Sequence, residues 1–285
     1  MSLEALAVGH ELPPHQVRAH MPADAVENKI HEAEGARALG FRGGLVPGVT
    51  VYAWMTHPVV AALGPAWLER GAFRASFASP VYFDEPVTIR AAVRARTIDT
   101  IAIEAWAVND RGETCATATF SLDDGATRAT PDLEAYPTAA LPAERPLVSR
   151  DVLAARPVLG TPELVVDDAA ARSFLDRVAE PLPLYTRPGA PAHPGLYLAE
   201  ANRALSRNVL VSPWIHVESE GQHLGPLDVG ERLETRARVG RLFEKNGHEF
   251  VELDLLLVAE GRRPVARIRH VAIYRLRHAR RTSDP

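Results

Sequence analysis

The chain has little sulfur, little charge of one sign and no long hydrophobic run. One cysteine, Cys115, is the whole thiol inventory of 285 residues. Neither an internal disulfide framework nor a thiolate zinc cluster can be built from it, and a reducing compartment is expected. Lys and Arg number 32 against 36 Asp and Glu, a net charge of -4, which argues against general nucleic-acid binding. The basic cluster Arg277, His278, Arg280 and Arg281 reads as a solvated tail. The most apolar stretch, Leu45 to Leu63, is interrupted by Pro47, Gly48, Thr50, His57 and Pro58. It falls short of the roughly 20 residues of a membrane span and reads as a buried core helix. The N-terminus has no basic start followed by an apolar core, so no secretory signal is visible and a cytoplasmic location is expected. Also missing are G-x-G-x-x-G, G-x-S-x-G and H-E-x-x-H. His10, His15 and His20 recur at a spacing that suits neither a helix face nor a strand face, so no zinc site is expected there.

What is present is a globular composition, 46% apolar and 24% charged, and a repeat. The first half reads as a helix over Leu45 to Leu63, which Pro58 should kink or end early. Strands follow at Phe73 to Tyr82, Pro86 to Thr97, Ile101 to Val108 and Thr114 to Leu122. Alternation is clearest in Val87, Ile89, Ala91 and Val93. In the second half a helix from His193 precedes strands at Trp214 to Leu224, Gly230 to Arg241, Glu249 to Val258 and Pro264 to Arg275. A strand at Glu163 to Val166 and a short helix from Asp167 come before it, the helix started by paired acids. Local echoes, Val46-Pro47-Gly48-Val49 against His193-Pro194-Gly195-Leu196, favour duplication. The expected organisation is an N-terminal domain over 1–124, a Pro/Ala-rich connector over 125–160, a C-terminal domain over 161–279 and a tail over 280–285.

A long buried helix wrapped by an antiparallel sheet, twice in one chain, resembles the α+β double hot-dog fold, two tandem hot-dog domains forming a pseudo-dimer. Within it the chain is similar to the MaoC-like hydratases and dehydratases, whose motif runs Gly-Asp-x-Asn-Pro-(Leu/Ile)-His before a helix start. Ala25-Val26-Glu27-Asn28-Lys29-Ile30-His31 keeps the Asn and the His but has Val26 in place of the catalytic Asp. Ala179-Glu180-Pro181-Leu182-Pro183-Leu184-Tyr185 keeps an acid and a Pro and replaces the His by Tyr185. His193-Pro194-Gly195-Leu196-Tyr197-Leu198-Ala199-Glu200-Ala201 is similar to the Pro-Gly-Val-x-x-x-Glu-Ala helix start of β-hydroxyacyl-carrier-protein dehydratases, which pair that Glu with a partner's His. The matching position in the first helix is Ala53.

This resemblance implies chemistry on an acyl thioester of coenzyme A or a carrier protein, without a redox or metal cofactor. Water addition at C2–C3 needs a group for the C2 proton and another for the C3 oxygen, and charge builds on the thioester carbonyl. The expected catalytic residues are His31, Glu200 and Asn28, with His31 and Glu200 meeting across the pseudo-dimer in one composite site. Val46, Pro47 and Gly48 at the helix start are expected to receive the oxyanion, with Glu27 as a stand-in for the missing Asp. A thioesterase using Glu200 and Asn28, and a non-catalytic acyl-thioester-binding subunit, are the alternatives. Membrane and nucleic acid are not expected partners; a monomeric pseudo-dimer or a homodimer suits the repeat.

Overall fold

A computed structural model describes residues 6–20, 27–123, 125 and 129–277. Val26, at the position of the motif acid, and the tail from His278 lie outside the described residues.

The first half contributes β1 (Glu11–Arg18), a short helix α1 (Ala33–Arg37), α2 (Gly48–Leu63), α3 (Pro65–Arg70), β2 (Ala72–Phe77), β3 (Pro86–Arg96), β4 (Thr100–Asn109) and β5 (Thr114–Asp123). After α4 (Arg150–Ala154) the second half contributes β6 (Glu163–Val165), α5 (Asp168–Val178), α6 (Gly195–Ser206), β7 (Ile215–His223), β8 (Arg232–Lys245), β9 (His248–Ala259) and β10 (Arg263–Arg275). All ten strands form one sheet in the order β1-β3-β4-β5-β2-β7-β10-β9-β8-β6. Shifting each first-half strand number by five reproduces the second half, so the repeat seen in sequence is a repeat in topology. The halves join where β2 pairs antiparallel with β7, Ala72 opposite Gln222 through Ser76 opposite Glu218.

The helix α2 is apolar all round, as a helix buried on every face must be; Tyr52, Trp54, Met55 and Val59 are at most 2% exposed. Pro58 lies inside it and does not end it: the helix runs on to Leu63 before Gly64 turns the chain at φ 63°. The ring removes one amide donor, but burial against the sheet supplies the stability that propensity withholds. Trp54 Nε1 donates to the carbonyl of Val178 across the halves, at 2.9 Å. As expected from its paired acids, α5 starts at an Asp167 cap whose Oδ1 accepts from the Ala170 amide at 2.8 Å.

Two features depart from the expectation. The strand β1 carries Pro13 and Pro14 and pairs only with β3, through an irregularity between Leu12 and His15. At a sheet edge the missing proline donors face no second neighbour, so the segment is a strand despite its composition. The Pro/Ala-rich segment is also more than a connector. Over 129–160 it packs along the second half, burying Leu153 and Leu159 completely, while Tyr136 Oη donates to Asp254 at 2.9 Å. Among the described residues no helix is long and apolar enough to cross a membrane.

Candidate functional site

The head of α2 opens into a cavity of ≈ 240 Å³ lined by residues of both halves. Its apolar lining includes Val51, Phe77, Val81, Ala116 and Ile273, and its polar side chains include Asn28, His31, Ser79, Asn202 and His216. No Asp or Glu is among the described lining residues.

His31 closes a 3-10 turn, Lys29–His31, started by Asn28. Its Nδ1 lies 2.8 Å from the carbonyl of Leu45. A carbonyl only accepts, so Nδ1 carries the proton and the neutral ring has its lone pair on Nε2. Burial pushes the His31 pKa below its usual 6.5, against a smaller upward pull from that carbonyl. The ring is thus a neutral base at pH 7. Asn28 does two things. Its Oδ1 accepts from the Trp214 amide at 3.2 Å and its Nδ2 donates to the Trp214 carbonyl at 2.9 Å, tying the loop of one half to the strand start of the other. The same Nδ2 lies 3.4 Å from His31 Nε2, a long contact that a substrate proton can replace.

Leu45 and Val46 are anchored by backbone bonds to Ile30 and Val81 at 3.1 and 2.8 Å, so Pro47 enters α2 at a fixed angle. The first amides of a helix lack intrahelical acceptors, and the dipole favours negative charge there. Gly48 is needed for close approach: a Cβ there would lie 3.1 Å from His216 Nδ1 and 3.4 Å from the Phe77 ring.

The structure does not bring Glu200 to His31. Glu200 is 2% exposed and holds Arg203 Nη1 at 2.9 and 3.0 Å, and burial raises its pKa against the pull of Arg203 and Thr235. The reason is helical geometry. Asn202, two residues on and therefore about 200° around α6, takes the place on the cavity, and Glu200 is turned toward β8. The second half does complete the site, but through Asn202, Trp214 and His216. Glu27 is not a lining residue either; it pairs with Arg145 at the surface. The sequence signal for His216 was legible in principle: on β7 the inward positions His216, Ser219 and His223 are polar where a core strand would be apolar.

A second polar cluster marks the equivalent place by α6. Glu180 is held by His57 Nδ1 at 2.9 Å and by the Leu182 amide at 2.8 Å, with His193 Nε2 at 3.6 Å. Burial alone would raise the Glu180 pKa, but the His193 and His57 contacts override it and hold it at about 2. Tyr185 packs its ring on His193, centroids 4.8 Å apart. The head of α6 is filled: a Cβ on Gly195 would meet Ala53 Cβ and Phe174 Cζ at 2.8 Å each.

No protein-family model matches the chain, and no curated protein matches its sequence. Solved structures do. A protein from Chloroflexus aurantiacus described as a MaoC-domain dehydratase is 11% identical, with 96% of this chain and 97% of that one covered at a TM-score of 0.66. A double hot-dog protein of Mycobacterium tuberculosis, essential for survival during infection, is 14% identical over 95% and 97% at 0.63. A Lactobacillus plantarum protein described as an oleoyl thioesterase is 13% identical over 96% and 100% at 0.55. With its mirrored strand order and two central helices, the chain therefore has the double hot-dog fold that MaoC-like dehydratases also have.

Proposed function

We propose that the chain adds water to, or removes it from, the C2–C3 bond of an acyl thioester bound in the cavity at the head of α2. The observation that carries this is His31, whose proton is fixed on Nδ1 by Leu45 and whose Nε2 lone pair stands in an apolar cavity beside a helix N-terminus. In hydration His31 Nε2 takes a proton from water as the water oxygen bonds to C3. Charge moves through C2 to the thioester oxygen at the α2 head, and the proton on His31 then passes to C2. Dehydration runs the same steps backwards. Asn28 and Asn202 hold polar substrate atoms, while Val46 and Pro47 fix the helix entry.

Hydrolysis is the second reading, since the fold is shared with a protein described as a thioesterase. It is disfavoured because a water-directing carboxylate is missing from the described lining residues and Glu200 faces away. The test follows crotonyl-coenzyme A, reading enoyl absorbance and free thiol together, beside His31→Ala. Enoyl loss without thiol, abolished in the variant, is the expected result. Thiol release would move the assignment to hydrolysis, and silence in both channels with retained binding would leave an acyl-thioester-binding subunit. An acyl thioester of coenzyme A or a carrier protein is the proposed partner, with no metal or redox cofactor in the reaction.

A further inference from the structure

Three buried side chains of the second half form a chain that ends at the cavity. His216 Nε2 lies 2.8 Å from Ser219 Oγ, and Ser219 Oγ lies 2.8 Å from His270 Nδ1. The two imidazoles stack at 4.2 Å. The outer nitrogens, His216 Nδ1 and His270 Nε2, are buried and have no hydrogen-bond partner. An unmatched buried polar group is costly, and two on one chain call for an explanation. His216 lines the cavity, and its Nδ1 faces the head of α2, 3.1 Å from where a Gly48 Cβ would stand.

The proton positions follow from counting. A hydroxyl has one proton, so Ser219 donates to one imidazole and accepts from the other. With both rings neutral, one outer nitrogen must carry an unmatched N–H and the other a bare lone pair. His270 is fully buried, whereas His216 is 6% exposed on the cavity. A buried N–H with nothing to bond is the rarer orphan, so it belongs where an incoming oxygen can accept it. His270 then donates from Nδ1 to Ser219, Ser219 donates to His216 Nε2, and His216 carries its proton on Nδ1.

We propose that His216 is an electrophilic catalytic residue of this site, its neutral Nδ1–H donating to the thioester carbonyl oxygen beside the α2 head, with Ser219 and His270 as positioning residues that fix that tautomer. The assignment rests on the acyl-thioester reading above. Burial, reinforced by His270, keeps the His216 pKa well below its usual 6.5 against a smaller upward pull from the Glu218 backbone, and burial holds His270 at about 3. The donor is therefore an imidazole rather than an imidazolium throughout the neutral range. This accounts for a cavity without a carboxylate among its described lining: His31 moves the protons, and His216 with the helix amides carries the charge that develops on oxygen. A donor of this kind serves hydration and hydrolysis alike, since both build negative charge on that oxygen.

The test uses butyryl-coenzyme A labelled with 13C at the thioester carbonyl, a saturated ligand with no double bond to hydrate. Difference infrared spectroscopy reads the bound carbonyl and calorimetry reads binding, in wild type, His216→Leu and Ser219→Ala. The carbonyl band is expected to move to lower frequency in wild type and to move less in both variants. Turnover of the reactive thioester should fall roughly a hundredfold or more in His216→Leu, the scale of losing one oxyanion donor, with KM little changed. If His216→Leu does not fold, Ser219→Ala and 15N-histidine spectra of the free wild type decide, the latter expected to show His216 protonated on Nδ1. An unchanged band shift in the variants, or His216 protonated on Nε2, overturns the assignment and leaves the acyl-thioester reading standing. Absence of butyryl-coenzyme A binding to wild type overturns both.

Discussion

The two helix heads occupy equivalent places in the repeat and have opposite fates. At α2, Gly48, His216 and Phe77 line an open cavity, with His31 anchored beside them. At α6, Gly195 is packed by Ala53 and Phe174, and Tyr185 stands where His31 would be expected. Polar groups are not lacking at the second head: Glu180 and His193 are buried there and His57 is half-buried beside them. What is lacking is space. A cluster whose carboxylate is already bonded by imidazole and amide stabilises the join between halves, because Glu180 comes from one half and His57 from the other. At α2, His216 Nδ1 is left unmatched on a cavity, which is the condition for binding something else. On the proposed function, duplication lets one head specialise in chemistry and the other in cohesion.

The sharpest test of this contrast is the pair His31→Ala and Tyr185→Phe. The first is expected to lower kcat by about 10²–10⁴-fold, the range for a general acid-base group; the second should leave turnover of crotonyl-coenzyme A unchanged, as steady-state rates will show. Next comes the glycine pair. Gly195→Ala forces a methyl within 2.8 Å of two side chains and should destabilise by about 1–3 kcal/mol, seen in denaturant midpoints, with kcat/KM per folded molecule preserved. Gly48→Ala meets only His216 Nδ1 and Phe77 at 3.1 Å and beyond, so it should change stability less and raise KM more.

Acid offers a gentler probe. The Glu180 pKa is depressed from 4.5 to about 2, so its contribution is fully present above pH 4.5 and is lost as pH falls through about 2. Glu180→Gln should have a lower Tm at pH 7 and should lose less Tm than wild type on acidification from 4.5 toward 2. Equal losses would place the cohesion elsewhere. The smallest effect is kinetic: because burial lowers the His31 pKa, the acidic limb of the pH–kcat/KM profile should lie below 6.5. A limb above that value would remove His31 as the base.

Much of the fold was legible because core burial writes a period. Val87, Ile89, Ala91 and Val93 alternate within β3; the mostly apolar Gly48 to Leu63 forms α2. The strand β1 was not legible, since Pro13 and Pro14 are forbidden in a central strand and only the edge position admits them. Of the expected site residues, Asn28, His31, Val46, Pro47 and Gly48 line one cavity, because a short loop and a helix start are neighbours along the chain. Glu200 illustrates the limit. Motif spacing placed a carboxylate on the correct helix, but which face of α6 meets the cavity depends on the crossing of two helices and a sheet, and Asn202 holds that face.

The sequence by itself determined the duplicated helix-and-sheet plan, the buried α2 and the histidine at its head, since each depends on hydrophobic period or on contacts a few residues apart. The tertiary structure decided which head stayed open, that Asn202 and His216 rather than Glu200 line the cavity with His31, and that Ser219 links His216 to His270. These contacts join residues up to 186 positions apart, as between Asn28 and Trp214. Local propensity carries no information about such pairs; the register of β2 against β7 sets one half against the other, and that of β7 against β10 places Ser219 opposite His270.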